Sequence, residues 1–290
     1  LYLSLFFEKI MGKCVYCGHS AGWFRSKHIR CVERYHKAKL AIENLVANTL
    51  SDESKMDGLF DRVKELSLSG FLTPDERKYH SAMGLMKGIE DFVEDHVLSD
   101  EEYKRVESAI VELEIDHDLQ RSSGLSQRIA KALTLTKLNK GEIPTDIIKI
   151  PDDLPFLIQK SETIVWIFDG VSVSERTTQV QYQGSSSGVS IRIMRGVYYR
   201  TGAFRGHPVE VEKMKPLGRG SLAFTTKHVL FVSPKTSLKI PISKLLAIQA
   251  YENGLQIQRD GVRSKPILLS GLDVWFASNV LSLLFEGPEE

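Results

Sequence analysis

The sequence predicts a multidomain α+β protein: a small metal-binding finger, a helical middle region and a C-terminal antiparallel β-domain closed by a helix. Three observations carry that prediction. All three cysteines of the 290-residue chain, Cys14, Cys17 and Cys31, crowd together near its start. Helix-capping patterns recur between residues 51 and 140. From Thr163 onward, short runs rich in β-branched and aromatic residues follow one another, each bounded by Gly or Ser.

Composition sets the outer limits. A chain that is 42% hydrophobic and 26% charged can bury an ordinary core, so it reads as globular and not as disordered. A net charge of +1 gives no global attraction to nucleic acid or to an anionic membrane, so any such contact must come from local patches. Clustered thiols point to a reducing compartment, because a secreted chain would pair its cysteines in disulfides. The expected location is therefore the cytoplasm, with peripheral membrane association as an extension. The apolar run Leu1-Tyr2-Leu3-Ser4-Leu5-Phe6-Phe7 is too short for a spanning helix. Met11 is read as the biological start, and a short apolar anchor is the alternative.

The finger, assigned to residues 1–31 with its leading segment, rests on spacing. Cys14, Cys17, His28 and Cys31 form Cys-x2-Cys-x10-His-x2-Cys, two close pairs separated by a loop. That arrangement supplies four soft or borderline donors to a tetrahedral Zn²⁺ without a large protein around it. Gly18, directly after the second cysteine, suits a tight turn whose backbone N–H groups face a thiolate. His28 and Cys31 sit at i and i+3, on one face of a helix's first turn. His19 competes for the fourth position, but lies only two residues after Cys17, where ligation would strain the turn. A redox Cys-x2-Cys would follow a strand in a βαβ unit, and no such pattern surrounds this one. Four protein ligands leave no position for water or substrate, so the site is expected to be structural. The knuckle followed by ligands at a helix start resembles treble-clef and zinc-ribbon-like fingers. Trp23 and Phe24, between the ligand pairs, are expected to pack beneath the metal. If they face outward instead, they and Arg25, Lys27 and Arg30 are candidate nucleic-acid contacts, by base stacking and phosphate pairing.

The helical region is assigned to residues 32–140. From His28 to about Leu50 the chain holds no Gly or Pro, so a helix should grow directly out of the finger. Leu72-Thr73-Pro74-Asp75-Glu76 and Leu98-Ser99-Asp100-Glu101-Glu102 are two capped helix starts. Thr73 and Ser99 are the N-caps, Pro74 takes the first helical position, and Glu76 and Glu102 take the reciprocal place of a capping box. Leu50-Ser51-Asp52-Glu53 and Gly141-Glu142-Ile143-Pro144 read as fainter versions of the same turn. Neither acidic turn has the ligand alternation of an EF-hand loop. The rhythm of helix, acidic turn and helix resembles TerB-like helical domains and the short helical hairpins used for oligomerisation. Gly141, Pro144, Pro151 and Pro155 mark a boundary over 139–155.

The β-domain is assigned to residues 150–287. Ten runs are read as strands: 163–168, 178–182, 189–193, 197–201, 221–225, 228–232, 238–241, 246–251, 255–259 and 267–269, with an amphipathic helix over 272–285. The segment Gly184-Ser185-Ser186-Ser187-Gly188 is read as a hairpin loop. The order Gly220-Ser-Leu-Ala-Phe-Thr-Thr-Lys-His-Val-Leu-Phe231, then Ile240-Pro-Ile-Ser-Lys-Leu-Leu246, then Gly254-Leu-Gln-Ile-Gln-Arg259 resembles the GRAM and bacterial PH-like family. The resemblance implies an antiparallel β-barrel whose open end the last helix plugs. It also implies a lipid, peptide or protein ligand and no single function.

No Gly-x-Ser-x-Gly elbow, Walker A loop, His-Glu-x-x-His or dinucleotide fingerprint occurs, so no enzyme activity and no small-molecule substrate are expected. His36, His80, His96, His117, His207 and His228 show no ligand spacing and are read as surface or half-buried residues. One stretch, Arg192 to Lys239, is strongly basic. Its Arg192, Arg195, Arg200 and Arg205 are the candidate contacts to an anionic lipid headgroup. The expected function is a non-enzymatic zinc-binding adaptor whose PH-like domain takes a protein partner or an anionic membrane surface. The alternative is a nucleic-acid-binding regulator acting through the finger.

Overall fold

The computed structural model describes residues 11–94, 98–151, 153–179, 184–194, 197–206, 211–261 and 264–286. It gives the backbone path alone over 177–179, 184–194, 197–206 and 211–213 and at positions 11, 53, 93 and 94. The chain divides into two compact units between Ala132 and Leu133, inside a helix and ahead of the Gly- and Pro-marked segment 139–155.

The first unit opens with a small antiparallel pair, β1 (Met11–Lys13) and β2 (Ser20–Trp23). Helix α1 (Ile29–Leu50) grows from it, as the absence of Gly and Pro required. Its buried residues are Cys31, Ala38, Ile42, Val46, Ala47, Thr49 and Leu50, with Ala38, Ile42, Val46 and Leu50 each four apart on one face. Leu40 belongs to the solvent face. Helices α2 (Leu59–Ser69), α3 (Pro74–Glu94), α4 (Asp100–Glu112), α5 (His117–Ser123) and α6 (Leu125–Asn139) follow, α6 running past the division.

Both capping boxes form. Thr73 Oγ1 accepts from the Glu76 N–H at 3.2 Å while Glu76 Oε2 accepts from the Thr73 N–H at 2.9 Å. Ser99 and Glu102 exchange the same pair at 3.2 and 2.8 Å. The two fainter turns differ from expectation. Asp52 accepts from the Ser54 N–H but leads only into a 3-10 turn, Glu53–Lys55, and the next described element after Gly141–Pro144 is a strand that begins at Ile164. Without Glu at the third helical position the reciprocal bond has no acceptor, and the turn does not propagate.

Helices α1 and α3 pack closely because α3 places glycines four residues apart against α1. A Cβ on Gly84 would lie 2.7 Å from the Glu43 carbonyl oxygen, and one on Gly88 would lie 2.6 Å from Leu50 Cδ1. Glu43 also accepts from His80 Nδ1 at 2.6 Å, and Tyr35 donates to Glu76, so polar bonds tie the same two helices together.

The second unit holds β3 (Ile164–Gln179), β4 (Gly184–Met194), β5 (Val197–Gly206), β6 (Val211–Thr225), β7 (His228–Val232), β8 (Ser237–Pro241), β9 (Leu245–Tyr251), β10 (Gly254–Arg259), β11 (Ile267–Ser270) and α7 (Val274–Glu286). The strands form one sheet in the order β4-β5-β9-β10-β11-β3-β6-β7-β8, antiparallel except where β5 runs parallel to β9. Two corrections arise here. Residues 164–168 of the first run and 178–179 of the second fall in one long strand, β3, bent by a bulge between Phe168 and Val171 where Gly170 takes φ +69°, a conformation glycine adopts at no steric cost, while 180–182 lie outside the described residues. Gly184–Gly188 is strand and not loop, paired with 202–206 of β5. The sheet order is linear with β4 and β8 at its ends. No pairing among the described residues joins those ends, so hydrogen bonds do not close the expected barrel.

Trp166, Phe168, Phe224 and Phe276 interlock by ring contacts, with the Trp166 and Phe276 centroids 4.6 Å apart. Helix α7 packs on β9 and β10 and differs from a simple amphipathic helix, since Phe276 to Ser282 are all buried. Its polar members are satisfied locally. Ser282 Oγ donates to the Ser278 carbonyl, and both Ser278 Oγ and Asn279 Nδ2 donate to the Trp275 carbonyl.

Candidate metal centre

The four predicted ligands come together at the junction of the β1–β2 hairpin and α1. Their donor atoms, Cys14 Sγ, Cys17 Sγ, Cys31 Sγ and one nitrogen of His28, all lie within 4.8 Å of one another. Local geometry explains why. Gly18 takes φ +73° and donates its N–H to the Cys14 carbonyl at 2.9 Å, closing the turn that sets Cys14 beside Cys17. His28 is the extended N-cap of α1, and Cys31 follows in the helix's first turn. Both pairs are thus fixed by backbone and brought together by the hairpin.

The histidine tautomer follows from its partners. His28 Nε2 lies 2.9 Å from the Ser20 carbonyl oxygen, an acceptor only, so Nε2 carries the proton and donates it. Nδ1 is left with its lone pair facing Cys17 Sγ at 3.4 Å and Cys31 Sγ at 3.7 Å. A tetrahedral site with M–S near 2.3 Å and M–N near 2.1 Å has N···S edges of about 3.6 Å. The donors are therefore spaced for a metal ion, and the imidazole is oriented by its other nitrogen as ligating histidines are.

Thiol electrostatics are divided across the cluster. Burial raises the Cys14 thiol, but N–H groups of Cys17, His28 and Tyr16 directed at its sulfur outweigh that and lower it to about 6. The His28 N–H lies 3.5 Å from Cys14 Sγ. Burial first, then hydrogen bonds to the Cys17 and Cys14 sulfurs, and then repulsion from those neighbours raise the Cys31 thiol to about 11. A cation among the sulfurs would remove that repulsion.

The centre is mounted on the helices of its unit. Cys14, Ala21 and Cys31 form a small buried cluster covered by Tyr16 and Phe71, and the Tyr16 ring lies 4.9 Å from that of Tyr35 on α1. His19 is exposed and outside the cluster. Its carbonyl instead accepts from the Cys14 N–H at 2.8 Å. Trp23 and Phe24 overturn the expected core, being 55% and 92% exposed. Tyr16 and Phe71 cover the sulfurs instead, and Phe71 belongs to the α2–α3 turn, so no local pattern could have pointed to it. Arg25, Lys27 and Arg30 are exposed as well, and Arg25 directly follows the two outward aromatics.

The other candidates fare unequally. Arg195 lies outside the described residues. Arg192 falls on β4 and Arg200 and Arg205 on β5, but their side chains are also outside the described part. Of the scattered histidines, His96 and His207 lie outside the described residues, His36 and His117 are exposed, and His80 pairs with Glu43. His228 has a partner that sequence reasoning missed. Its Nδ1 lies 2.7 Å from Glu162 Oε1, and the Glu162 side chain is wholly buried. Thr225 Oγ1 donates to the same carboxylate at 2.5 Å, and the burial of an acid so close to a strand start carries no sequence signal.

No described helix is long and apolar enough to cross a membrane. No protein-family model and no curated protein matches the chain. Among solved structures the chain is similar to the crystal structure of the linker-DH/PH domains of p115-RhoGEF, at 10% identity and a TM-score of 0.22, with 88% of this chain and 68% of that chain covered. A likeness that slight carries no argument about fold or function.

Proposed function

We propose that the chain is a non-enzymatic cytoplasmic adaptor. A structural zinc finger braces its helical unit, and its β-unit is a PH-like module that engages a protein partner or an anionic membrane surface. The observation that carries this reading is the closed donor set. Four protein atoms converge at metal-ligand spacing, one of them oriented by the Ser20 carbonyl, and they leave no coordination position for water or substrate. Three sulfurs and one imidazole favour zinc over oxygen-seeking cations. The antiparallel strands followed by α7 support the PH-like part of the reading.

Two experiments test it. Metal analysis of the purified protein should find one zinc per chain, lost in Cys14→Ser; a zinc-free wild type ends the proposal. Vesicles containing anionic lipid should retain the protein at low salt and release it as the Debye length shrinks towards roughly 8 Å. Arg192→Glu with Arg200→Glu should abolish that retention. Retention that ignores both salt and charge reversal would remove the membrane version and leave the protein partner.

A second reading has its own support. Trp23 and Phe24 are exposed, and so are Arg25, Lys27 and Arg30 close by in sequence, the composition that stacks bases and pairs phosphates. Single-stranded RNA or DNA binding, lost when those three cations are changed while vesicle retention is kept, would favour a nucleic-acid-binding regulator.

A further inference from the structure

A second basic site lies in the β-unit, away from the arginines of β4 and β5. A cavity of about 320 Å³ opens where the end of β8 and the 3-10 turn Ile242–Lys244 meet the loop after β10. Lys239, Lys244, Arg259 and Ser264 line it, with Asp260 as the one acid among the described lining residues. Lys239 is only weakly engaged elsewhere, 4.0 Å from Glu162 Oε2.

Two buried atoms in this lining have no partner. Arg259 Nε and Ser264 Oγ are both inaccessible and make no hydrogen bond. A buried donor left unpaired is costly, and native proteins rarely keep one without a ligand, ion or water to receive it. The walls that hold these atoms are fixed. The Asp260 N–H donates to the Lys244 carbonyl at 2.8 Å, the Ser264 N–H to the Gly261 carbonyl at 2.9 Å, and Gln258 Nε2 reaches the Arg259 and Ser264 carbonyls. Arg259 itself is paired in register with Leu245. Asp260 and Ser264 are thus tied by hydrogen bonds to Lys244 and to Gly261 and Gln258.

The chemistry of the lining selects the ligand. Two ammonium groups, a guanidinium N–H and a hydroxyl are all donors, three of them cationic, and Asp260, the single carboxylate among the described lining residues, leaves a positive balance. Such a set fits a compact anion with several acceptor oxygens and little else. The volume suits a phosphate group with its first waters or a short phosphorylated headgroup. We infer that this cavity is a phosphate-binding site, with Arg259 and Ser264 as its buried donors and Lys239 and Lys244 as its charged rim. This inference rests on no part of the adaptor reading and would stand if that reading failed.

Titration of inorganic phosphate into the full chain, followed by amide chemical shifts in constant chloride, tests it. Saturable shifts centred on Gly261 and Ser264 are expected. Arg259→Gln should weaken binding roughly tenfold or more, since it removes a charged donor. Lys244→Ala, an exposed change that leaves the fold intact, should weaken it several-fold. No saturable response above chloride, or one that both variants leave unchanged, overturns the inference. Vesicles carrying a phosphoinositide then separate the sources. Retention lost in the same two variants identifies a lipid headgroup, and phosphate binding without retention identifies a soluble phosphate; either result upholds the site.

Discussion

Replacing Glu162 by alanine probes the β-unit at its most demanding point. The carboxylate side chain is wholly buried and holds Thr225 Oγ1 at 2.5 Å and His228 Nδ1 at 2.7 Å. The Gln159 N–H reaches its second oxygen at 3.4 Å. Removing it leaves the His228 donor, itself only 14% exposed in its side chain, without its acceptor. Thr225 keeps the His228 carbonyl at 2.9 Å as an alternative, which limits the loss. A buried hydrogen bond to a carboxylate contributes roughly 1.5–3 kcal/mol, and the loss of the acceptor shared by His228 and Thr225, offset by the bond that Thr225 keeps, places this case at about 3 kcal/mol. For a unit of this size that lowers the melting temperature by roughly 6–12 °C.

Thermal unfolding of the full chain by circular dichroism measures the shift, with Glu162→Gln separating the loss of charge from the loss of hydrogen bonds. A change below roughly 2 °C for the alanine variant would refute the role. The pH dependence supplies a second check. Burial alone would raise the Glu162 carboxyl, but bonds from Thr225 and His228 overcome it and hold the group below the ordinary carboxylate range. The unfolded chain therefore binds this proton more readily than the folded one. The contribution is fully present above the unfolded value and is lost as pH falls through the folded value. Wild type should lose stability in acid more steeply than Glu162→Gln.

Other consequences follow from packing and from the metal centre. Gly84→Val should destabilise the helical unit by at least about 2 kcal/mol, because its side chain meets the Glu43 carbonyl and Val46 with no room to yield; an unchanged denaturant midpoint would contradict the close α1–α3 approach. Phe24→Ala should alter stability by less than about 0.5 kcal/mol, since the ring is 92% exposed, whereas a loss of several kcal/mol in thermal unfolding would restore it to the core. Chelation of the metal should lower the melting of the helical unit through Cys14, Cys31 and the docked Tyr16 and leave the transition of the β-unit in place, as two-transition calorimetry can show.

Much of the candidate metal centre was legible in the sequence because its four donor residues are local. Two short spacings and a glycine state which atoms can converge, and the backbone of one turn and one helix start does the rest. The capping boxes were legible for the same reason, each closing within four residues. The tautomer of His28 was not, since it depends on a carbonyl eight positions away across a hairpin.

Aromatic content misled where burial decides the matter. Trp23 and Phe24 sit between the ligand pairs, but the cover over the sulfurs comes from Tyr16 and Phe71. Gly84 and Gly88, four apart on one helix, could have signalled a close approach, though only the structure names α1 as the neighbour. Strand content was readable from β-branched runs. The merging of two runs into β3, the parallel β5–β9 pair and the open sheet order were not, because pairing between strands distant in sequence is set by burial of both faces at once. By itself the sequence determined the Cys14, Cys17, His28 and Cys31 cluster, the capped helices and the change from helix to strand, since each is fixed by interactions within one turn or one repeat. Tertiary structure alone decided the buried Glu162–His228 pair and the donors gathered around Arg259. Glu162 and His228 meet across 66 residues and the cavity gathers side chains from positions 239 to 264, so only the packed chain brings them within hydrogen-bonding distance or into one cavity.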